Sequence, residues 1–426
     1  MYISKTKIDK AGVILASNGY GYTEDEYIQS EFIFDEYRRI HLDPLTKTTI
    51  EIQDFLSKSN IKYYIAQRLK RKPQIIRKLN RFSVRLTQLQ DIGGLRIIVN
   101  ANSDVDKLYK YIEDNISKSP FFSIKKKTDY RMKGRDDTGY RALHVILDRN
   151  KLKLELQIRS KVQHYWAEGI ERTSVIYGYH LKEKEGDNRV INYFKQLSNI
   201  FYEIESGREP SPAQKSEIDI LREQAEQIIA LKSNLLSCHV HEGALQSLIE
   251  KETRNRIKNK TNFNNWILIF DWNTGCFVDW RIIDRDSESA IKSYTDEEAR
   301  YSAYLGYEVV MIGSSDISTV RETHSHYFGI EKYETILENL DSSIVNIAKR
   351  LDIDSGSRQI LMCLVRKSFW NKNIKIDTLR NHYCKNVFAF DISMETLINK
   401  GLVIQISPQG PIKLNISKKS EIESYL

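Results

Sequence analysis

The run KLKLELQIR, Lys151 to Arg159, constrains the fold more than any other feature of this chain, because apolar and polar residues alternate along it without a break. A period of two is the pattern of a β-strand, whose successive side chains point to opposite faces. Leu154, Leu156 and Ile158 therefore share one face, and Glu155, Gln157 and Arg159 share the other. The leucine face needs a hydrophobic layer to cover it. The opposite face carries a carboxylate, an amide and a guanidinium in a row, and such groups are costly to bury unless something satisfies or uses them.

The neighbouring segments predict the rest of a sheet. LRIIVN, Leu95 to Asn100, reads as a buried strand, and SDVDKLYKYIEDNISK as an amphipathic helix capped by Ser103. FFSIKKK and YRALHVIL read as two more strands, the second joined to KLKLELQIR through the polar turn Asp148-Arg149-Asn150. KVQHYWAEGIERTSVI follows as a helix, and helical patterning continues to Ile204 before Pro210 and Pro212. The class is α/β (α+β). A chain of 426 residues exceeds what one core usually serves. We expect a first domain over residues 1–210, a helical connector over 211–255, a small α+β domain over 256–340 and a winged-helix-like domain over 341–426. The last reading rests on METLINKGLVIQISPQGPIKLNIS, a helix with a glycine stop at Gly401 and two short strands around Pro408-Gln409-Gly410.

With 41% hydrophobic and 29% charged residues, the chain is neither fibrous nor disordered in composition. No stretch approaches the roughly eighteen apolar residues of a membrane span, so a cytoplasmic protein without membrane contact is expected. Cys238, Cys276, Cys363 and Cys384 are scattered and suggest neither a zinc site nor a disulfide framework. The net charge of +8 favours polyanionic partners. Its distribution says more: ten Lys or Arg residues and no Asp or Glu lie between Phe55 and Gln90, among them Arg68, Lys70, Arg71, Lys72, Arg77, Lys78, Arg81 and Arg85. Basic side chains on helical turns around Pro73 are expected to converge on a polyanion.

Asp91 stands immediately before the LRIIV strand. If the polar face of the Glu155 strand lines a cleft beside Asp91, the two carboxylates can hold Mg²⁺ by oxygen ligation while the basic block neutralises phosphates. GYRALH, Gly139 to His144, follows the basic loop Lys133-Gly134-Arg135 and sets an aromatic ring beside a flexible glycine and a cation, suited to stacking on a base.

The ordered series RLKRKPQIIRKL, LQDIGGLRIIV, DYRMKGRDDTGYRALH and KLELQIRSKVQHYWAE resembles the RelA/SpoT synthetase domain over about Phe32 to Gly178, with DEYRRIHLDPL similar to the segment that precedes it in longer members. The resemblance implies a nucleotidyltransferase-like mixed sheet with flanking helices. It implies Mg²⁺-dependent transfer of pyrophosphate from ATP to the 3′-hydroxyl of GDP or GTP. Carried over by position, Arg68, Lys70 and Lys78 contact the ATP phosphates, Asp91 binds Mg²⁺, and Glu155 activates the 3′-hydroxyl and touches the metal. Tyr140 stacks on guanine, Lys133 and His144 serve the acceptor, and Gln157, Arg159 and His164 complete or support the pocket wall. Gln74 replaces the usual serine before Ile75-Ile76, and Tyr37 a common tryptophan. No paired-His/Asp hydrolase domain precedes residue 32, so synthesis without hydrolysis is expected, restrained by the C-terminal half.

Two other readings stay open. The same core serves a toxin-like pyrophosphokinase acting on the tRNA 3′ end or on adenosine nucleotides, since any purine offers a face to Tyr140. Alternatively, the chain is a nucleic-acid-binding regulator that reads with the winged segment, Ile392 to Ile416, and carries an inert synthetase domain; the intact Asp91, Tyr140 and Glu155 speak against it. A protein or nucleic-acid ligand for the C-terminal domains is expected in each case.

Overall fold

The computed structural model describes residues 3–135, 138–231, 263–283, 286–314, 319–320, 323–328, 353, 355–384, 387, 390–407 and 410–425. Cys238, the connector beyond residue 231, the boundary near Leu340, and Pro408 and Gln409 lie outside the described residues. The chain divides into two units, residues 1–206 with 210–336, and residues 207–209 with 337–426.

The first unit is built on one mixed sheet of eight strands in the order β3-β4-β5-β2-β1-β8-β6-β7. The strands are β1 (Tyr63–Leu69), β2 (Gly93–Val99), β3 (Phe122–Asp129), β4 (Leu143–Arg149), β5 (Leu152–Ser160), β6 (Asn264–Asp271), β7 (Cys276–Ile283) and β8 (Tyr307–Ser314). Its helices are α1 (Lys5–Ala16), α2 (Glu24–Ser57), α3 (Lys72–Phe82), α4 (Asn102–Ile116), α5 (Lys161–Tyr177), α6 (Asn188–Glu205), α7 (Pro212–Ala230) and α8 (Ser287–Arg300). The expected mixed sheet with flanking helices is present. The strands assigned from sequence to a separate small domain instead extend this sheet, through the antiparallel pairing of Arg68 with Ile312. Two local boundaries also differ from expectation. The hairpin between β4 and β5 turns at Asn150 and Lys151, both with positive φ, not at Asp148. The helix expected to be capped by Ser103 begins at Asn102, with Ala101 as its cap.

The apolar face of the sheet is covered along its length by α2, a 34-residue helix that starts on a capping box between Thr23 and Glu26 and runs through Pro44. One end of α2 packs Phe34, Tyr37 and Leu42 with Ile267, Ile269, Val309 and Met311, and the other packs Ile52 and Leu56 with Leu95, Ile97, Leu154 and Leu156. The DEYRRIHLDPL segment lies within α2. Tyr37 is a core residue whose ring meets that of His41 edge-on at 4.8 Å, so its departure from tryptophan bears on packing.

On the other face α5 begins at Ser160, whose hydroxyl accepts from the amide of Gln163 in a second capping box, and α6 lies beside α5 with Trp166 Nε1 donating to the Phe194 carbonyl at 2.7 Å. Glu205 ends α6, where the negative pole of the helix and burial both disfavour a charge. Burial pushes its carboxyl from 4.5 up to about 6, and Oε1 has no hydrogen-bond partner among the described residues. A raised carboxyl pKa favours the fold below 4.5 and loses that contribution as pH rises through about 6. Glu205→Gln is therefore expected to raise the unfolding free energy at pH 7 by about 2 kcal/mol, with no gain at pH 4. Urea unfolding at both pH values checks this, and an equal effect at the two would contradict it.

The described part of the second unit comprises α9 (Ser355–Arg366), short helical turns over 376–383, α10 (Phe390–Asn399), the antiparallel pair β9 (Val403–Gln405) and β10 (Ile412–Leu414), and a final turn and short helix over 416–424. Gly401 ends α10 with a φ of 66°, the left-handed stop expected of a glycine after a helix. Ile360, Leu364, Leu379, Leu397, Leu402 and Leu414 form its core.

Candidate active site

Strand register places the polar groups. Arg68, Gly94 and Glu155 are aligned across β1, β2 and β5, and the next aligned row on the same face is Ala66, Arg96 and Gln157, continued by His144 on β4. The residues of these two rows on β1, β2 and β5, with Lys70, Asp91 and His324, line an open cleft of about 450 Å³. The two glycines of QDIGG do different work. A Cβ on Gly93 would strike Leu154 Cδ2 at 2.9 Å in the core, whereas at Gly94 the nearest atoms are backbone oxygens of Glu155 and Arg68 at 3.7 and 3.9 Å. Gly94 thus leaves the cleft floor open between a carboxylate and a guanidinium.

Asp91 is held between two lysines. Lys70 Nζ donates to its Oδ2 at 2.7 Å and Lys78 Nζ to the same oxygen at 2.9 Å. Burial raises the carboxyl pKa, but the two ammonium groups outweigh it and hold Asp91 well below the usual carboxylate range. Lys70 is lowered, since burial and the neighbouring Lys78 and Arg68 exceed what one shared carboxylate can offset. The other oxygen, Oδ1, is buried without a hydrogen-bond partner among the described residues. An ionised, unpartnered carboxylate oxygen at the edge of a polar cleft fits a hard divalent cation such as Mg²⁺.

Glu155 starts a chain of hydrogen bonds. His144 Nδ1 lies 2.9 Å from its Oε1, and Gln157 Nε2 donates to its Oε2 at 2.7 Å. His144 Nε2 is 2.8 Å from the Tyr140 hydroxyl, to which Arg159 Nη2 donates at 2.5 Å. Burial opposes ionisation of Glu155, but the bond to His144 and its charge bring the carboxyl down to about 2. For the imidazole, burial is outweighed by Tyr140 and Glu155, and His144 is pushed up to about 9. Arg159 and His144 likewise overcome burial at Tyr140 and bring its phenol down to about 7. Glu155 is thus a carboxylate at neutral pH, oriented from two sides.

Tyr140 is positioned by α6. Gly139 has a φ of 88° and lies so close to the helix that a Cβ would meet Ser198 Cβ at 2.9 Å and Lys195 Cα at 3.0 Å. Arg141, the cation of GYRALH, is an anchor here: its Nε donates to Ser198 Oγ at 2.9 Å and its Nη2 to Asn199 Oδ1 at 2.8 Å. The Arg159 guanidinium lies over the Tyr140 ring, 4.8 Å from its centroid, and two of its N–H groups, at Nε and Nη1, are buried without partners among the described residues. A planar cation with spare donors beside an aromatic ring suits an anionic nucleotide.

The basic block does not converge as a whole. Arg71 pairs with Glu308, Lys72 with Glu31 at 2.5 Å, Arg77 and Arg81 with Glu183 at 3.5 and 3.6 Å, and Arg85 with Asp9 at 3.9 Å. Acids from distant segments neutralise this side of the block. Arg68 and Lys70 line the cleft, Lys78 is joined to it through Asp91, and Arg68 has no carboxylate partner among the described residues. Lys133 is exposed on the loop after β3 and is not joined to the Tyr140–Glu155 chain. His164 sits elsewhere, on α5, with Nδ1 3.9 Å from Glu168. Sequence reading did not single out Arg96, Glu168, His324 or His326. Arg96 alone left a signal, as a cation inside LRIIV at the same strand parity as Gly94.

No described helix is long and apolar enough to cross a membrane. Residues 67–182 match the sequence family described as a region found in RelA / SpoT proteins. No curated protein matches the chain. Among solved structures, a GTP pyrophosphokinase family protein from Streptococcus pneumoniae is 20% identical over 46% of this chain and 97% of its own, with a TM-score of 0.34. The small alarmone synthetase 2 from Bacillus subtilis is 22% identical over 44% of this chain and 96% of its own, with a TM-score of 0.33. The small alarmone synthetase 1 from Bacillus subtilis, bound to its product pppGpp, is 19% identical over 46% and 97%, also with a TM-score of 0.33.

Proposed function

We propose that this chain, which matches the region found in RelA / SpoT proteins over residues 67–182, is a nucleotide pyrophosphokinase whose cleft transfers the β,γ-pyrophosphate of ATP to the 3′-hydroxyl of GDP or GTP, forming (p)ppGpp. The observation that carries this reading is the pair of carboxylates lining one polar cleft: Asp91 with a buried oxygen, unpartnered among the described residues, beside two lysines, and Glu155 oriented by His144 and Gln157. The 3′ oxygen attacks the β-phosphorus, the bond from that phosphorus to the α,β-bridging oxygen breaks, and AMP leaves. The 3′-hydroxyl proton passes to Glu155, a carboxylate at working pH.

Arg68, Lys70 and Lys78 neutralise the triphosphate and hold it in line. Asp91 and Glu155 would hold Mg²⁺, which supplies further neutralisation of the polyphosphate. On the other side of the cleft, the Tyr140 ring and Arg159 would receive the acceptor. Residues 341–426 are read as the module that restrains an otherwise unopposed synthetase.

Incubation of the purified chain with ATP labelled at the γ-phosphate, Mg²⁺ and, separately, GDP, GTP, AMP, ADP, ATP and tRNA tests the acceptor. Label is expected on GDP and GTP. Label on tRNA or an adenosine nucleotide alone keeps the reaction and overturns the acceptor.

A further inference from the structure

We propose that His324, outside the matched region, is a substrate-contacting residue of this cleft, its Nε2 accepting a hydrogen bond from a hydroxyl or amino group of the donor nucleotide. The inference rests on the reading of the cleft as an ATP site. His324 is 1% exposed and yet lines the cleft, beside Ala66, Arg68 and Arg96. Its Nε2 is buried and has no hydrogen-bond partner among the described residues. An unpaired buried imidazole nitrogen, on a residue that lines a polar cleft, is an anomaly that a ligand would resolve.

The chemistry at Nε2 follows from the other end of the ring. Thr323 Oγ1 lies 2.7 Å from the Thr319 carbonyl, to which its single hydroxyl proton goes. That oxygen can then only accept from His324 Nδ1, 2.9 Å away. Nδ1 therefore carries the proton and Nε2 the lone pair. Burial first, and then the charges of Arg96 and Arg68, hold the ring neutral by lowering its pKa well below the ordinary value. The partner that Nε2 lacks is a donor, not a phosphate oxygen.

The surrounding segment is firmly held. Arg96 Nη1 donates to the Thr323 carbonyl at 2.6 Å, and the His326 amide donates to Glu168 Oε2 at 3.0 Å. His326 Nδ1 is also 2.7 Å from that oxygen, and buried Tyr327 meets Phe270 edge-on at 5.9 Å. The location picks the substrate. Strand β8, which leads towards this segment, pairs with β1, the strand of Arg68. Tyr140 and His144 flank the opposite side, beyond β2 and β5. His324 thus stands on the triphosphate side, and ATP offers donors at its ribose hydroxyls and its 6-amino group.

Two readouts separate this inference from the reading beneath it: pyrophosphate transfer, and calorimetric binding of the non-transferable analogue AMPCPP to the full chain. His324→Asn keeps a group at the Nδ1 position and removes Nε2, whereas His324→Gln restores an acceptor near Nε2. His324→Asn is expected to weaken AMPCPP binding and raise the KM for ATP by about five- to tenfold, the worth of one hydrogen bond, while the acceptor KM stays constant. His324→Gln is expected to recover most of the loss. Among 2′-deoxy-ATP, 3′-deoxy-ATP and purine riboside triphosphate, the analogue lacking the recognised group should bind wild type more weakly by the same factor and His324→Asn no differently from ATP. Unchanged AMPCPP binding in His324→Asn overturns the inference, as does equal loss in the Asn and Gln variants. If transfer fails while AMPCPP binding still depends on His324, the inference stands and the reaction is wrong; a wild-type chain that binds no AMPCPP overturns both.

Discussion

Exchanging Glu155 for glutamine is expected to lower the proposed pyrophosphate transfer by on the order of 10²- to 10⁴-fold, with the KM for ATP little changed. Glutamine preserves the shape of the side chain and can still accept from Gln157 Nε2 or face His144. It cannot take the 3′-hydroxyl proton. Because the His144 bond and charge bring the Glu155 carboxyl down to about 2, wild type keeps its base ionised across the neutral range, and the loss in Glu155→Gln should be as large at pH 6 as at pH 8. Initial rates with γ-labelled ATP at both values check this. Activity within tenfold of wild type would remove Glu155 from the chemistry and leave it an organiser of the Tyr140–His144 chain.

Asp91→Asn is expected to lose activity to a similar extent, for a different reason and with a second signature. Asp91 Oδ2 accepts from both Lys70 and Lys78, whose side chains are only 17% and 27% exposed. Neutralising the carboxylate leaves two ammonium groups facing each other, a loss of about 3 kcal/mol or more in stability for partly buried ions deprived of their partner. It also neutralises Oδ1, the oxygen proposed to hold Mg²⁺ and unpartnered among the described residues. Mg²⁺ with AMPCPP should raise the thermal midpoint of wild type and leave that of Asp91→Asn unmoved. A variant that remains less stable yet keeps the full Mg²⁺ response would confine Asp91 to charge balance.

Much of this site was written in local pattern. The alternation Leu154-Glu155-Leu156-Gln157-Ile158-Arg159 sets the polar face wherever the strand lies, because neighbouring side chains on a strand cannot share a face. Asp91, Gly93 and Gly94 at the start of β2 then fall beside Glu155 once β2 and β5 pair in parallel. The parting of the basic block was not visible, since Glu31, Glu183, Glu308 and Asp9 are distant in sequence from the cations they neutralise. Nor was the reach of the sheet. Strands β6, β7 and β8 read as a domain of their own because their internal pattern is complete, and nothing in it records that β8 will pair with β1.

By itself, the sequence determined the strand and helix periods, the polar face with Asp91 and Glu155, and the family match over residues 67–182. Tertiary structure alone decided which lysines and arginines reach the cleft, that one sheet spans Tyr63 to Ser314, and that His324 closes the cleft's β1 side. The division follows from range. Side-chain period and backbone preference act within a few residues and leave a readable imprint, whereas ion pairing and strand edges join segments hundreds of residues apart, whose meeting is set by the packed core between them.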